Sequence, residues 1–260
     1  MSPSRPGVAA NHCVMGKDDV RTKGGFPATR HSVIERIRAE DPDVRRDGFG
    51  DLVKGYWKPV YKHLRVTWRL EAQDAQDLTQ SFFTDAFQKA WLERYDPEKA
   101  RFRTFVRVCA DRFVMNVKES NSRLKRGGGT YRIPLDFDSA EREMTARALV
   151  ASLEPETYFH QEFVRALFEQ AVDAVRAEYL VNGRRIHLAL FERHDLSGED
   201  GISYGRLAGE FGLTTTQVTN CLAQVRRRFR ERALEALRAL CGNDAEFRRE
   251  ARDLFGLEVE

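Results

Sequence analysis

Cysteine is sparse in this chain of 260 residues, and its placement excludes more than its number does. Cys13, Cys109, Cys221 and Cys241 form no CxxC pair and no Cys/His cluster at ligand spacing, so the pattern speaks against a zinc site and for reduced thiols. No stretch approaches the roughly 18 apolar residues of a membrane-spanning helix. Residues 1–30 also lack the apolar run of a signal peptide. A cytoplasmic protein with no membrane partner is expected. Catalytic signatures are missing as well: there is no Ser/His/Asp order, and Gly127, Gly128 and Gly129 lack the following Lys-Ser/Thr of a phosphate-binding loop. The expectation is therefore no enzyme and no cofactor or metal. Charge of one sign is not in excess either. Lys and Arg number 43 and Asp and Glu 40, a net charge of +3, so partners must be sought in how charge is distributed.

What is present is helical periodicity, and alternating strand patterns are almost absent. Apolar residues recur at helical spacing through Val33, Ile34 and Ile37, then 49–66, 74–94 and 104–123. Asp96-Pro97 interrupts the series and the three glycines at 127–129 end it. Residues 1–28, rich in Gly, Pro, Ser and charge, read as a disordered leader. Residues 127–158, with Pro134, Pro155 and an acidic excess, read as a linker. Helical pattern resumes through Phe163, Leu167, Ala171 and Val175, and pauses at Asn182-Gly183. The expected architecture is all-α, with two small helical domains at 29–126 and 159–240, an acidic linker between them and a helical tail at 241–260.

The stretch GLTTTQVTNCLAQVRRRFRERAL, residues 212–234, carries the clearest motif. Val218, Leu222, Val225 and Phe229 lie on one helical stripe. Thr214 and Gln217 have capping-box spacing, which starts the helix near Thr215. Upstream, SYGRLAGEFG offers Ser203 as an N-cap, Leu207 and Phe211 on one face, and Gly212 as a left-handed C-cap. Ala208 four residues before Gly212 and Val218 six after it complete a helix-turn-helix pattern, whose second helix is the one that enters a major groove.

Charge is sorted along the first half. Between residues 71 and 100 seven acids face three bases, and between 101 and 126 eight bases face two acids. An acidic helix suits a basic protein surface, and a basic helix with aromatics suits phosphates and unpaired bases. In DAQDLTQSFFTDAFQKAW, Leu78, Phe82, Ala86 and Ala90 trace one face and Asp74, Asp77, Gln80 and Ser81 lie toward the other. In FRTFVRVCADRFVMNVK the stripe runs through Phe105, Cys109, Arg112 or Phe113, and Asn116.

The order of PVYKHLR, DAQDLTQSFFTDAF, FRTFVRVCADRFVMNVK, an acidic spacer and LAGEFGLTTTQVTNCL resembles the sigma-70 family of bacterial RNA polymerase sigma factors. It is most similar to the small extracytoplasmic-function members, over about residues 29–240. The resemblance implies a helix that grips core RNA polymerase through Asp74, Asp77, Leu78, Gln80 and Ser81. It implies that Arg101, Phe102, Arg103, Arg112, Asn116 and Lys118 open and hold the minus-10 element. It assigns minus-35 recognition to Thr215, Gln217, Thr219, Asn220 and Gln224, with Arg226, Arg227 and Arg228 on the backbone. The linker acids Asp136, Asp138, Glu141 and Glu143 would imitate a transcript, or simply be solvated. An anti-sigma partner is possible in such a system. Two departures stand out: Val108 to Arg112 replaces the frequent R-I-A-x-N, and the groove helix carries no early arginines. The rival reading is a self-standing helix-turn-helix regulator that binds duplex DNA as a dimer.

Overall fold

The structure, a computed structural model, describes residues 32–119, 134–145, 154–199 and 201–257. The described residues fall in one compact unit and are helical throughout, with no strand among them. The leader, the cations Arg123, Lys125 and Arg126, and part of the expected linker lie outside them.

Among the described residues, ten α-helices follow the sequence cues closely where caps are explicit. α1, Val33–Ile37, starts at a Ser32–Glu35 capping box. α2, Pro42–Thr67, begins seven residues before its apolar stripe, because Asp41 caps it and Pro42 occupies the first turn, where its missing N–H costs nothing. α3 spans Ala72–Lys89 and is followed by a 3-10 turn, Trp91–Arg94. α4 covers Phe102–Glu119, α5 Phe137–Thr145 and α6 Pro155–Val181. Pro155 opens α6 rather than interrupting anything. The α6 helix ends at Asn182 and Gly183, the glycine at φ +67°. α7, Arg185–Phe191, runs into a π turn at Glu192–Leu196. α8 is Tyr204–Phe211, α9 Thr215–Leu240 and α10 Asp244–Phe255.

Two apolar cores form, but they do not divide where the sequence breaks. The first gathers α1 to α5 with Phe159, Phe163 and Leu167 of α6, Leu237 and Leu240 of α9, and Phe247 and Ala251 of α10. The second joins the later part of α6, α7, α8 and the first half of α9, around Val175, Leu190, Leu207, Val218, Leu222 and Val225. Helices of 26 and 27 residues are each long enough to contribute a stripe to both cores.

Two expected faces shift in phase. On α3 the buried set is Ala75, Thr79, Phe82, Phe83 and Ala86, Leu78 is half-buried, and Ala90 leaves the helix at φ +50°. On α4 the buried set is Phe102, Val106, Ala110 and Val114, while Phe105, Cys109 and Phe113 form its flank and Arg112 and Asn116 are exposed. Small residues such as Ala75, Ala86 and Ala110 within these buried sets allow close helix approach, and Phe82, Phe83 and Phe102 fill the space between.

The expected spacer is also reorganised. Its residues 137–145 are a helix whose acids pair with bases of α2: Glu143 accepts from Lys58 at 2.7 Å and Lys62 at 2.6 Å, and Glu141 from Arg65 at 2.7 Å and the Tyr61 hydroxyl at 2.6 Å. Glu141 and Glu143 are thus engaged within the fold rather than solvated. Tyr61 and Trp57 pack their rings on Phe137.

Candidate nucleic-acid interface

The helix-turn-helix forms as its caps dictate. Ser203 Oγ accepts from the Arg206 amide at 3.2 Å, and Gly212 takes the left-handed conformation, φ +66°, that ends α8. The Gln217 amide donates to Thr214 Oγ1 at 3.2 Å, and the Thr214 amide donates to Gln217 Oε1 at 2.8 Å. Val218, Leu222 and Val225 are buried against Leu207 and Ala208, and Phe229 packs beside them. The opposite face presents Thr215, Thr219, Asn220, Gln224 and Arg227 to solvent. These are the amide, hydroxyl and guanidinium groups that read base edges and phosphates in a groove.

Three residues assigned to this face are committed inside the fold. Gln217 is exposed, but its carbonyl oxygen serves the cap. Arg226 turns back to Asp195, with Nε to Oδ2 at 2.9 Å, and to the Tyr204 hydroxyl at 3.0 Å. Arg228 binds Glu178 at 2.9 Å and Glu231 at 2.8 Å, and Arg232, just beyond, donates to the same Glu178 at 2.6 Å. Burial alone would push Asp195 and Glu178 up; hydrogen bonds from these arginines outweigh it and hold both carboxyls below the usual range. Of the three successive arginines, Arg227 alone is exposed. Their partners lie 31 and 50 residues upstream, which no local pattern reveals.

The start of α4 is covered. Phe102 is 1% exposed, with its ring edge-on to Tyr56 and Tyr95 at centroid distances of 5.5 and 4.9 Å. It is a core residue in this conformation and cannot stack on a base. Arg101 pairs with Glu250 and Asp253, and Arg103 with Glu250 at 3.0 Å and with His160. Burial and the neighbouring Arg103 hold His160 below its ordinary range, so its ring is neutral at pH 7. Farther along α4, Arg112, Asn116 and Lys118 are exposed, and the Lys118 ammonium lies 4.7 Å from the Trp68 ring centroid.

The acidic face of α3 is open. Asp74, Asp77 and Ser81 are exposed, Gln80 and Leu78 are half-buried, and Gln73 donates to Asp77 at 3.3 Å. Asp111, beside Arg112 in the chain, is engaged within the fold: it accepts from His63 at 2.7 Å and Trp68 at 2.8 Å and pairs with Arg107 at 3.0 Å.

Among the described residues no group of three or more His, Cys, Asp or Glu is arranged to hold a metal ion, and no helix is long and apolar enough to cross a membrane. No family model, curated protein or solved structure matches the chain.

Proposed function

We propose that this chain is an alternative sigma factor, which joins core RNA polymerase and directs it to promoters. The observation that carries the reading is the pairing of two surfaces. One is the exposed polar face at the start of α9, with Thr215, Thr219, Asn220, Gln224 and Arg227; the other is the exposed acidic face of α3 around Asp74, Asp77 and Ser81. A groove-reading helix needs phosphate and base-edge contacts, and an acidic helix suits a cationic protein surface. The reading resolves the minus-10 set into two parts. Arg112, Asn116 and Lys118 are presented, whereas Arg101, Phe102 and Arg103 need a rearrangement of the fold before they can touch DNA.

The test is capture of core RNA polymerase by the full chain, with Asp77→Lys expected to lose it, since reversing a charge at an interface repels the partner. Promoter binding in gel shifts should require core enzyme. Tight binding to duplex DNA as a dimer without polymerase would replace this reading with that of a self-standing regulator.

A further inference from the structure

We propose that α10 is a built-in competitor for nucleic acid at the start of α4, an acidic helix that occupies the cationic surface until it is displaced. The inference rests on the reading of Arg101 and Arg103 as a nucleic-acid surface.

The contact is a ladder of carboxylates on one face of one helix. Glu246, Glu250 and Asp253 sit at spacings of four and three, so they rise along α10 in steps of about 6 and 4.5 Å. Glu246 accepts from the Phe102 amide at 2.6 Å, from the Tyr95 hydroxyl at 2.8 Å and from the Gly242 amide at 2.7 Å. Glu250 takes the Arg103 guanidinium through both oxygens, at 3.1 and 3.0 Å, and lies 3.4 Å from Arg101. Asp253 takes Arg101 at the rim. Glu246 and Glu250 are 1% and 2% exposed. The first-turn amide of α4 and two arginines are the groups that would bind successive phosphates of a strand, and each has an α10 carboxylate on it instead.

Such an arrangement is not what stability alone favours. A buried ion pair roughly breaks even against apolar residues of the same shape, because desolvation offsets attraction. Burial holds the Glu250 carboxyl above its ordinary range, and Arg103 and Arg101 offset that only in part. The apolar anchorage of α10 is a single stripe: Phe247 and Ala251 enter the first core, Leu254 and Phe255 pack at its edge, and Phe255 stacks on Phe168 at 5.7 Å. A polyanion offering the same charges can therefore compete with the helix.

The experiment uses the full chain and a labelled single-stranded DNA of random sequence, read by fluorescence anisotropy at low salt. The variant Glu250→Gln/Asp253→Asn is expected to bind about tenfold more tightly than the wild type, equivalent to removing a competing charge contact. A charge-matched control on the exposed residues Glu40 and Asp47, Glu40→Gln/Asp47→Asn, is expected to stay within about twofold. Adding Arg101→Ala and Arg103→Ala to the first variant should abolish its gain. Should Glu250→Gln not fold, as judged by circular dichroism, Asp253→Arg at the exposed rim is expected to give about threefold. Unchanged affinity in a folded α10 variant, or an equal gain in the control, overturns the proposal. Polymerase capture by the same preparations separates the two claims: capture without a DNA gain sinks the role of α10, and a DNA gain without capture sinks the sigma-factor reading.

Discussion

At the scale of single residues, neighbouring glycines of α2 make the packing argument testable. A Cβ on Gly48 would lie 2.6 Å from Arg36 Cβ and 3.2 Å from the Arg36 and Ile37 backbone, whereas one on Gly50 meets nothing within 4 Å. Gly48→Ala is therefore expected to lower the free energy of unfolding by about 1 to 3 kcal/mol through overpacking. Gly50→Ala should raise it by about 0.5 to 1 kcal/mol because alanine favours helix. Urea denaturation compares the two, and equal signs would refute the account. Lys62 is buried between Glu143 at 2.6 Å and Glu162 at 2.7 Å. Lys62→Met is expected to cost about 3 kcal/mol, near the low end for breaking a buried pair, because Glu143 keeps Lys58 and Glu162 keeps Arg165. Residue roles were legible in sequence where they were local. Thr214, Gln217, Ser203 and Gly212 behave as their spacing requires. Arg226, Arg228, Arg101 and Phe102 do not, since their partners come from helices far away in the chain and a run of basic residues carries no record of which ones turn inward.

At the scale of elements, α9 depends on its cap and α5 on its charges. Thr214→Ala removes the acceptor for the Gln217 amide and is expected to lower stability by about 1 kcal/mol, read as a fall in Tm. For α5, the hydrogen bond from Arg65 holds Glu141 below its ordinary value of 4.5; burial would push Glu143 up, but hydrogen bonds from Lys58 and Lys62 outweigh it. Both carboxyls thus have folded values below their unfolded ones. Their contribution is present above pH 4.5 and is lost as pH falls through the folded values. Amide exchange in residues 139–145 should accelerate below that point, and Glu141→Gln/Glu143→Gln should remove the acid-sensitive phase. The existence of α5 was hidden because only nine residues form it, too few for a helical stripe to be distinguished from chance, and because the acids that suggested a solvated spacer are the ones that dock it.

At the scale of the whole molecule, shared helices predict shared unfolding. All three tryptophans, Trp57, Trp68 and Trp91, pack against the first core, so fluorescence reports that core while far-ultraviolet circular dichroism reports every helix. With α6 and α9 belonging to both cores, the two signals should share one urea midpoint, as a two-state unit does. Separate midpoints would mean that the cores melt independently. Helix content and order were evident from the sequence, but the sharing of α6 and α9 between two cores was not, because periodicity states which face of a helix is apolar and not how many neighbours that face meets.

The length of α9 has a mechanical meaning. Its far end is seated by Leu240 in a notch at Gly55, where a Cβ would stand 2.5 Å from the leucine, and about 38 Å of continuous helix separates that seat from Thr215. Such a rod works as a pointer: a tilt of about 10° at its pivot sweeps the tip through roughly 7 Å, some two base-pair steps at 3.4 Å each. A larger residue at Gly55 would therefore act at a distance, re-aiming the tip while leaving the exposed residues Thr215, Thr219, Asn220 and Gln224 themselves unchanged.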